Sequence, residues 1–189
     1  MDNKFPKNFL WGSGTASHQV EGNTNNNWTE WEKNNAGRLS KVAGDKFEKW
    51  QQEKFPEMFN PENYISGKAC DHYSRYATDF DLIKEGGQNA YRFSIEWSRI
   101  EPEEGKFDEE EINHYRKVLS ALRERNIEPF VTLWHWTDPV WFEKKGGWLN
   151  DKAVKHFSGY VEKIVKSLGS QINFWVVINE PNVYTKLAY

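Results

Sequence analysis

The residues best suited to chemistry are polar side chains that follow short apolar runs. Asn179 and Glu180 follow the run "FWVVI", and His135 and Trp136 end the run "EPFVTLWHW". A carboxyl group in such a place can act as a general acid or base, while an amide and an imidazole can hold ligand hydroxyls. A single glutamate at a strand end is more often a helix cap or a solvated acid. The neighbouring amide and Pro181, which fixes the next turn, favour a site.

Polar residues also accompany the other two apolar runs. Gln19 follows "NFLWGSGTAS", and Arg92 and Glu96 lie within "NAYRFSIEW". A guanidinium inside an apolar strand needs an anionic partner, so we expect a carboxylate near Arg92. His135 taken alone is better explained as a core histidine. His135 and Asp138 lack a convincing third ligand, which argues against a metal site.

Composition limits the classes of protein to consider. A chain of 189 residues can form one domain with a substantial core, and its net charge of −3 gives no indication of a nucleic-acid partner. A single cysteine, Cys70, favours a reducing compartment. The first residues do not resemble a signal peptide, and no run approaches the ~20 apolar residues of a membrane span. We therefore expect a cytoplasmic protein. Ten tryptophans fit either a large aromatic core or a sugar-binding site.

The elements that must position these side chains alternate along the chain. The four apolar runs have strand length, and they begin at Asn8, Asn89, Glu128 and Ile172. Amphipathic patterns over 71–87, 108–126 and 150–170 predict helices, the last with an apolar face of Val154, Phe157, Val161 and Val165. This alternation predicts an α/β fold with about four parallel strands and intervening helices. The polar segment 22–68 shows no clear periodicity and is predicted to be a long loop near the site.

At this point four stretches carry a resemblance to a known family. They are "FLWGSGTASHQVEG", "ACDHYSRYATDFDLIKEGGQNAYRFSIEWSRIEP", "FVTLWHWTDPVWF" and "VVINEPNV". Together they resemble the N-terminal portion of the family 1 glycoside hydrolases, the β-glucosidase and β-glycosidase family. The resemblance covers almost all of residues 1–189. It implies the first half of a TIM (β/α)₈ barrel and a partial catalytic domain of a retaining β-glycosidase.

The resemblance also implies roles for individual residues. Glu180 corresponds to the acid/base that protonates the departing glycosidic oxygen. Asn179, Gln19 and His135 correspond to groups that bind sugar hydroxyls, and Trp136 to an aromatic side chain beside the cleaved sugar. Arg92 corresponds to an arginine that pairs with the nucleophile, and this would answer the need for an anionic partner. Glu21 and Glu96 share the motifs but are not expected to be catalysts, and no cofactor or metal is implied.

The nucleophile of this family lies in a Glu-Asn-Gly context on a later strand, and the sequence contains no such tripeptide. "PENY" around Glu62 comes closest, but it lies within 22–68. We therefore expect the chain to be the first half of a longer enzyme, inactive alone, whose partners are a β-linked oligosaccharide or glycoside and either a C-terminal half-barrel or further copies of itself. Two alternatives stay open at this stage: a non-catalytic sugar-binding module, and a structural half-barrel that pairs with another chain.

Overall fold

The structure, a computed structural model, describes residues 4–188. Strands and α-helices follow in the order β1 Gly12–Gly14, α1 Ser17–Val20, α2 Asn27–Lys46, α3 Lys49–Lys54, α4 His72–Glu85, β2 Ala90–Ser94, α5 Trp97–Ile100, α6 Glu109–Glu124, β3 Glu128–Trp134, α7 Val140–Lys144, α8 Ala153–Leu168, β4 Phe174–Ile178 and α9 Pro181–Ala188. Short 3₁₀ turns lie at Pro56–Phe59, Pro61–Tyr64, Gly147–Leu149 and Gly169–Gln171.

The four strands form one parallel sheet in the order β1-β2-β3-β4. Gly12 pairs with Ala90, Ala90 with Glu128, and Phe130 with Phe174. Neighbours in sequence are therefore neighbours in the sheet, and helices connect one strand to the next. This confirms the predicted α/β arrangement. Because the strands are parallel, the residues that follow them are gathered at one edge of the sheet.

The first strand is much shorter than the apolar run that predicted it. Only Gly12–Gly14 belong to β1, although the run begins at Asn8. At Gly12 a Cβ atom would lie 2.5 Å from the carbonyl oxygen of Ala90, so the close approach of β1 to β2 requires glycine there. Just before the strand, the carbonyl oxygen of Trp11 accepts hydrogen bonds from the amides of Asn89 and Ala90.

The core lies between the sheet and the helices α4, α6 and α8. Its fully buried side chains include Phe80, Leu119, Val131 and Tyr160. The predicted apolar face of α8 is wrong in part, because Val154 is 73% exposed and Val165 is 44% exposed. The residues of α8 that are buried instead are Ala153, Tyr160, Ile164 and Leu168.

Tyr160 helps to explain why the buried face of α8 differs from the predicted one. Its ring stacks on Trp97 with the centroids 5.1 Å apart, and its hydroxyl donates to the carbonyl oxygen of Leu133 at 2.9 Å. Buried tyrosine hydroxyls usually have an acceptor, and this hydrogen bond supplies one on the face of α8 that meets the sheet.

The segment 22–68 is not the irregular loop that its composition predicted. It contains the 20-residue helix α2 as well as α3 and two 3₁₀ turns. The sequence pattern conceals α2 because the positions that it buries are small or polar: Thr29, Glu32, Ala36, Ser40 and Ala43. A helix whose inner face lacks large apolar residues shows no apolar periodicity.

Candidate active site

The polar residues at the strand ends are joined by hydrogen bonds around Asn179. Asn179 is buried directly after β4, and its amide nitrogen donates to the carbonyl oxygen of Trp134 at 3.0 Å. Its side-chain Oδ1 accepts from Nη2 of Arg92 at 2.6 Å, and its Nδ2 donates to Oε2 of Glu180 at 3.3 Å. The carbonyl oxygen of Asn179 accepts from Nε1 of Trp136 at 2.8 Å. One residue thus connects three of the other predicted site residues.

Arg92 lies in the middle of β2, and the two neighbouring strands provide its partners. Besides Asn179 it contacts Thr132 of β3, whose Oγ1 accepts from Nε at 2.9 Å. Both partners are neutral oxygens. Among residues 4–188 no carboxylate forms an ion pair with Arg92, so the anionic partner expected from the sequence is not found in the described part of the chain.

Two site residues adopt a backbone conformation that residues other than glycine normally avoid. Trp136 has φ of 74° and Glu180 has φ of 42°, in the left-handed region. Such a conformation costs on the order of 1–3 kcal/mol and persists only where the surroundings enforce it. Here the hydrogen bond from the Trp136 ring to Asn179 holds the two strand ends together. Both residues with this strained backbone lie at the edge of the sheet where the polar side chains are gathered.

His135 provides a buried nitrogen without a protein partner. Among the described residues nothing forms a hydrogen bond with its Nδ1. Burial lowers the pKa of His135, and the nearby charge of Arg92 lowers it further. The imidazole is therefore neutral at pH 7, and because Nδ1 is buried, a ligand hydroxyl can reach the ring only at its other nitrogen, Nε2.

Glu180 and Gln19 are the exposed members of the predicted set. Glu180 lies between Asn179 and the first turn of α9, and its carbonyl oxygen accepts from the amides of Val183 and Tyr184. Gln19 lies on α1 after β1, and within the described residues no hydrogen bond connects its side chain to the other candidates. The structure therefore joins Arg92, Trp136, Asn179 and Glu180 directly and leaves Gln19 at the neighbouring strand end.

Glu96 holds several strand ends together from within the fold. It is completely buried. Its Oε2 accepts from Ser17 at 2.7 Å and from Thr137 at 3.0 Å, while Oε1 accepts from Ser98 at 2.7 Å and Asn26 at 3.2 Å. The donors come from the ends of β1, β2 and β3 and from the start of α2. Sequence reasoning gave Glu96 no role, although the hydroxyl residues that follow β1, β2 and β3 are a signal for such a network.

Glu21 is a second buried acid near the strand ends. Its carboxylate accepts from Nε of Arg99 at 2.9 Å and from the Tyr115 hydroxyl at 2.8 Å. Burial raises the pKa of Glu21 to about 7, while the charge of Arg99 opposes this rise. Because protein groups occupy both of its oxygens, Glu21 connects α6 to the end of β1 and does not face a ligand.

Within residues 4–188, no three histidine, cysteine, aspartate or glutamate side chains are grouped closely enough to bind a metal ion. No helix in the same range has both the length and the apolar character needed to cross a membrane.

A family model and curated relatives match the chain over nearly its whole length. The model of glycosyl hydrolase family 1 matches residues 1–189. β-Glucosidase A of Acetivibrio thermocellus is 36% identical over 186 residues, which are 98% of this chain and 38% of that protein. A 1,4-β-D-glucan glucohydrolase of Thermotoga neapolitana is 36% identical, covering 94% of this chain and 38% of that protein. The chain thus spans less than two fifths of these relatives.

Solved structures give the same result for the fold. A β-glycosidase from Pyrococcus horikoshii superposes with a TM-score of 0.80 at 41% identity, covering 98% of this chain and 38% of that one. A family 1 β-glucosidase from Thermotoga maritima gives a TM-score of 0.74 at 34% identity, with coverage of 95% and 37%. These neighbours are TIM-barrel glycosidases, so the four parallel strands are part of such a barrel.

Proposed function

The chain belongs to glycosyl hydrolase family 1, and from this premise we propose that it forms the acid/base-bearing part of a retaining β-glycosidase. The observation that carries the proposal is the Asn179–Glu180 pair at the end of β4. A buried amide orients an exposed carboxyl group there, and Arg92 holds that amide in place. The names of the relatives support β-linked glucosides as substrates.

Retaining hydrolysis needs two carboxyl groups about 5–5.5 Å apart, and in our proposal Glu180 is one of them. In the first step the nucleophilic carboxylate attacks the anomeric carbon, while the Glu180 carboxylic acid gives its proton to the departing oxygen. In the second step the Glu180 carboxylate takes a proton from water, and the resulting hydroxide displaces the nucleophile. Glu180 thus regains the proton that it gave up.

The neighbouring residues bind the sugar whose bond is cleaved. Asn179 holds the 2-hydroxyl, where a hydrogen bond strengthens in the transition state. His135 offers Nε2 to another hydroxyl, because its Nδ1 is buried, and Gln19 approaches from the end of β1. The ring of Trp136, held by Asn179, covers an apolar face of the pyranose.

The second carboxylate comes from outside residues 1–189 in this proposal. The surroundings of Arg92 support this origin of the second carboxylate, because the guanidinium is half-buried and its two partners in the described part of the chain are neutral. A C-terminal half-barrel would bring this carboxylate to Arg92 and pair with the exposed edges of β1 and β4. The 189 residues alone would then have no glycosidase activity.

A chimera tests the role of Glu180. Residues 1–189 replace the matching segment of the Pyrococcus horikoshii β-glycosidase, and hydrolysis of aryl β-glucosides is measured. Glu180→Gln should lower the rate by about 10²–10⁴-fold for poor leaving groups, and by less for dinitrophenol, which leaves without a proton. The control Glu62→Gln alters an exposed acid and should leave the rate unchanged. Equal losses for both leaving groups would contradict the role of proton donor.

We also propose a cytoplasmic location. The thiol of Cys70 is exposed and unpaired, as is common for cysteines of reducing compartments. Fractionation of the source cells, with detection by an antibody, is the direct measurement. Recovery of the chain in the extracellular fraction would contradict this part of the proposal.

A further inference from the structure

The one-turn helix α1 carries Gln19 and depends on the rest of the fold for its position. It spans only Ser17–Val20, and no side chain caps its N-terminus. A helix of this length is not stable by itself in water, so contacts with other elements must fix it. Ser17 provides one such contact, because its hydroxyl donates to Oε2 of Glu96 at 2.7 Å. A second contact comes from His18, the buried residue that directly precedes Gln19.

The partners of His18 show which ring nitrogen carries a proton. Oδ1 of Asn26 accepts from the amide of Thr29 at 2.9 Å, so Nδ2 is the donating end of the Asn26 side chain. This Nδ2 lies 3.3 Å from Nδ1 of His18, and the hydroxyl of Thr24, which can donate to the same nitrogen, lies 3.0 Å from it. Nδ1 is therefore the acceptor. Nε2 carries the proton and donates it to Oε1 of Glu32 at 3.1 Å.

Glu32 on α2 is a fixed acceptor for this bond. Its carboxylate also accepts from Ser66, from the hydroxyl at 2.6 Å and from the backbone amide at 2.9 Å. Burial acts to raise the pKa of Glu32, but the hydrogen bonds from Ser66 and His18 outweigh it and lower the pKa. The carboxylate is therefore charged at pH 7, and a charged acceptor forms a stronger hydrogen bond. Because Ser66 lies near the end of the segment 22–68, this bond joins α1 to that segment.

The same hydrogen bonds continue to the strand ends. Nδ2 of Asn26 has a second hydrogen, which it donates to Oε1 of Glu96 at 3.2 Å. One line of hydrogen bonds thus runs through Glu96, Asn26, His18, Glu32 and Ser66. The first four residues are buried and the last is half-buried. A buried polar network whose members all have partners is rigid, so it holds the His18 ring in one position.

We infer that His18, fixed by Glu32, is a positioning residue for Gln19. Successive side chains leave a helix at angles about 100° apart, so the direction of His18 toward α2 determines the direction of Gln19. The binding of a sugar hydroxyl by Gln19 rests on the proposed function, whereas the placement of α1 by His18 and Glu32 does not. Through this bond the segment 22–68 helps to place a sugar-binding residue.

A double-mutant cycle in the chimera tests the inference through kcat/KM for 4-nitrophenyl β-D-glucoside. His18→Phe keeps an aromatic ring but cannot donate to Glu32. We expect this variant to lower kcat/KM about tenfold, but by less than about twofold where Gln19→Ala is already present. His18→Gln, whose side-chain amide can still donate to Glu32, should retain most of the rate.

The control variant is His156→Gln, which weakens another histidine–carboxylate pair. His156 lies on α8 and pairs with Glu104 at 3.4 Å, and its side chain is 13% exposed, compared with 8% for His18. Any effect of this variant on kcat/KM should be the same with and without Gln19→Ala. A purely structural role of His18 would give the same additive result.

Hydrogen exchange in the whole chain tests the placement of α1 without any need for activity. The backbone amides of Gln19 and Glu21 take part in the hydrogen bonds of this helical turn. His18→Phe should speed the exchange of these two amides by about tenfold or more, whereas His156→Gln should leave it unchanged.

Glu32→Gln is a milder variant that decides the question where His18→Phe does not fold. A single amide oxygen cannot replace the two carboxylate oxygens that Glu32 offers to His18 and to the Ser66 amide. This variant should therefore lower kcat/KM and speed the exchange in the same way, but to a smaller extent.

Two results would overturn the inference. One is an unchanged kcat/KM in His18→Phe, or a loss that is equal with and without Gln19→Ala. The other is exchange of the Gln19 and Glu21 amides that neither His18→Phe nor Glu32→Gln accelerates. If the unsubstituted chimera hydrolyses nothing while His18→Phe accelerates the exchange, the placement of α1 stands and the proposed function falls.

Discussion

Asn179 determines the geometry of the candidate site at the scale of single residues. The sequence indicated Asn179 and Glu180 because they follow an apolar run, but it gave no indication that Arg92 bonds to the side chain of Asn179 and Trp136 to its backbone carbonyl. These contacts arise from strand register, which pairs Arg92 with Phe130, two residues before its partner Thr132, and pairs Trp134 with Ile178. A single sequence does not specify register, so residue types were predictable and their hydrogen-bond partners were not.

Asp138 yields a prediction about pH. Its buried carboxyl group accepts from Nε1 of Trp134 at 2.8 Å, and burial raises its pKa from 3.8 to about 8. Between pH 3.8 and about pH 8 the folded state keeps a proton on Asp138 that the unfolded state releases. This difference stabilises the folded state fully below pH 3.8, and the stabilisation is lost as the pH rises through about 8. Each unit of difference between the folded and unfolded pKa contributes about 1.4 kcal/mol to the free energy of unfolding.

Asp138→Asn removes this titration. Relative to the original chain, the variant should therefore gain stability steadily between pH 5 and pH 8, as measured by urea unfolding at several pH values. Asp151→Asn changes an exposed aspartate and should show no such trend. A stability difference between Asp138→Asn and the original chain that does not vary with pH would contradict the assignment.

At the scale of elements, the segment 22–68 leaves the strand ends and returns to the same place. The amide of Asn23 donates to the carbonyl of Gly67 at 2.7 Å, which closes the segment. The four strands were predictable as short apolar runs, and α4, α6 and α8 were predictable because their apolar residues repeat with the helical period. The helix α2 was not, because it packs through alanine, serine, threonine and a glutamate. Its tertiary contacts, and not its own pattern, determine its position.

Two glycines of this segment should respond oppositely to alanine. Gly22 has φ of +81°, and a Cβ atom there would lie 2.0 Å from the carbonyl oxygen of Lys68. Gly22→Ala should therefore destabilise the chain by more than ~1 kcal/mol. Gly37 lies within α2 with nothing near its Cβ position, so Gly37→Ala should stabilise by ~0.5–1 kcal/mol. Urea unfolding of both variants measures the two effects, and a harmless Gly22→Ala would contradict the close approach.

At the scale of the whole molecule, the sheet has two open edges. Within the described residues β1 and β4 each pair on one side only, and β4 exposes 43% of Phe174 and 53% of Val177. A closed barrel has no such edges, and unpaired strands with apolar side chains promote association. This exposure agrees with a chain that spans about 38% of its relatives.

We expect the isolated chain to self-associate. Light scattering after size exclusion should show an apparent mass that rises with concentration. Val177→Lys should weaken the association because it places a charge on the edge strand. Leu82→Lys alters an equally exposed residue of α4 and should have no effect. A monodisperse monomer with a cooperative unfolding transition at high temperature would contradict this expectation.

The most direct test of the central claim compares the purified chain with the chimera on 4-nitrophenyl β-D-glucoside. The claim is that residues 1–189 provide the acid/base, Glu180, and that the nucleophile lies outside them. We expect release of nitrophenol by the chimera, loss of that activity in its Glu180→Gln variant, and no release by the chain alone. Turnover by the chain alone, abolished by Glu180→Gln, would contradict the claim that the second carboxylate comes from elsewhere.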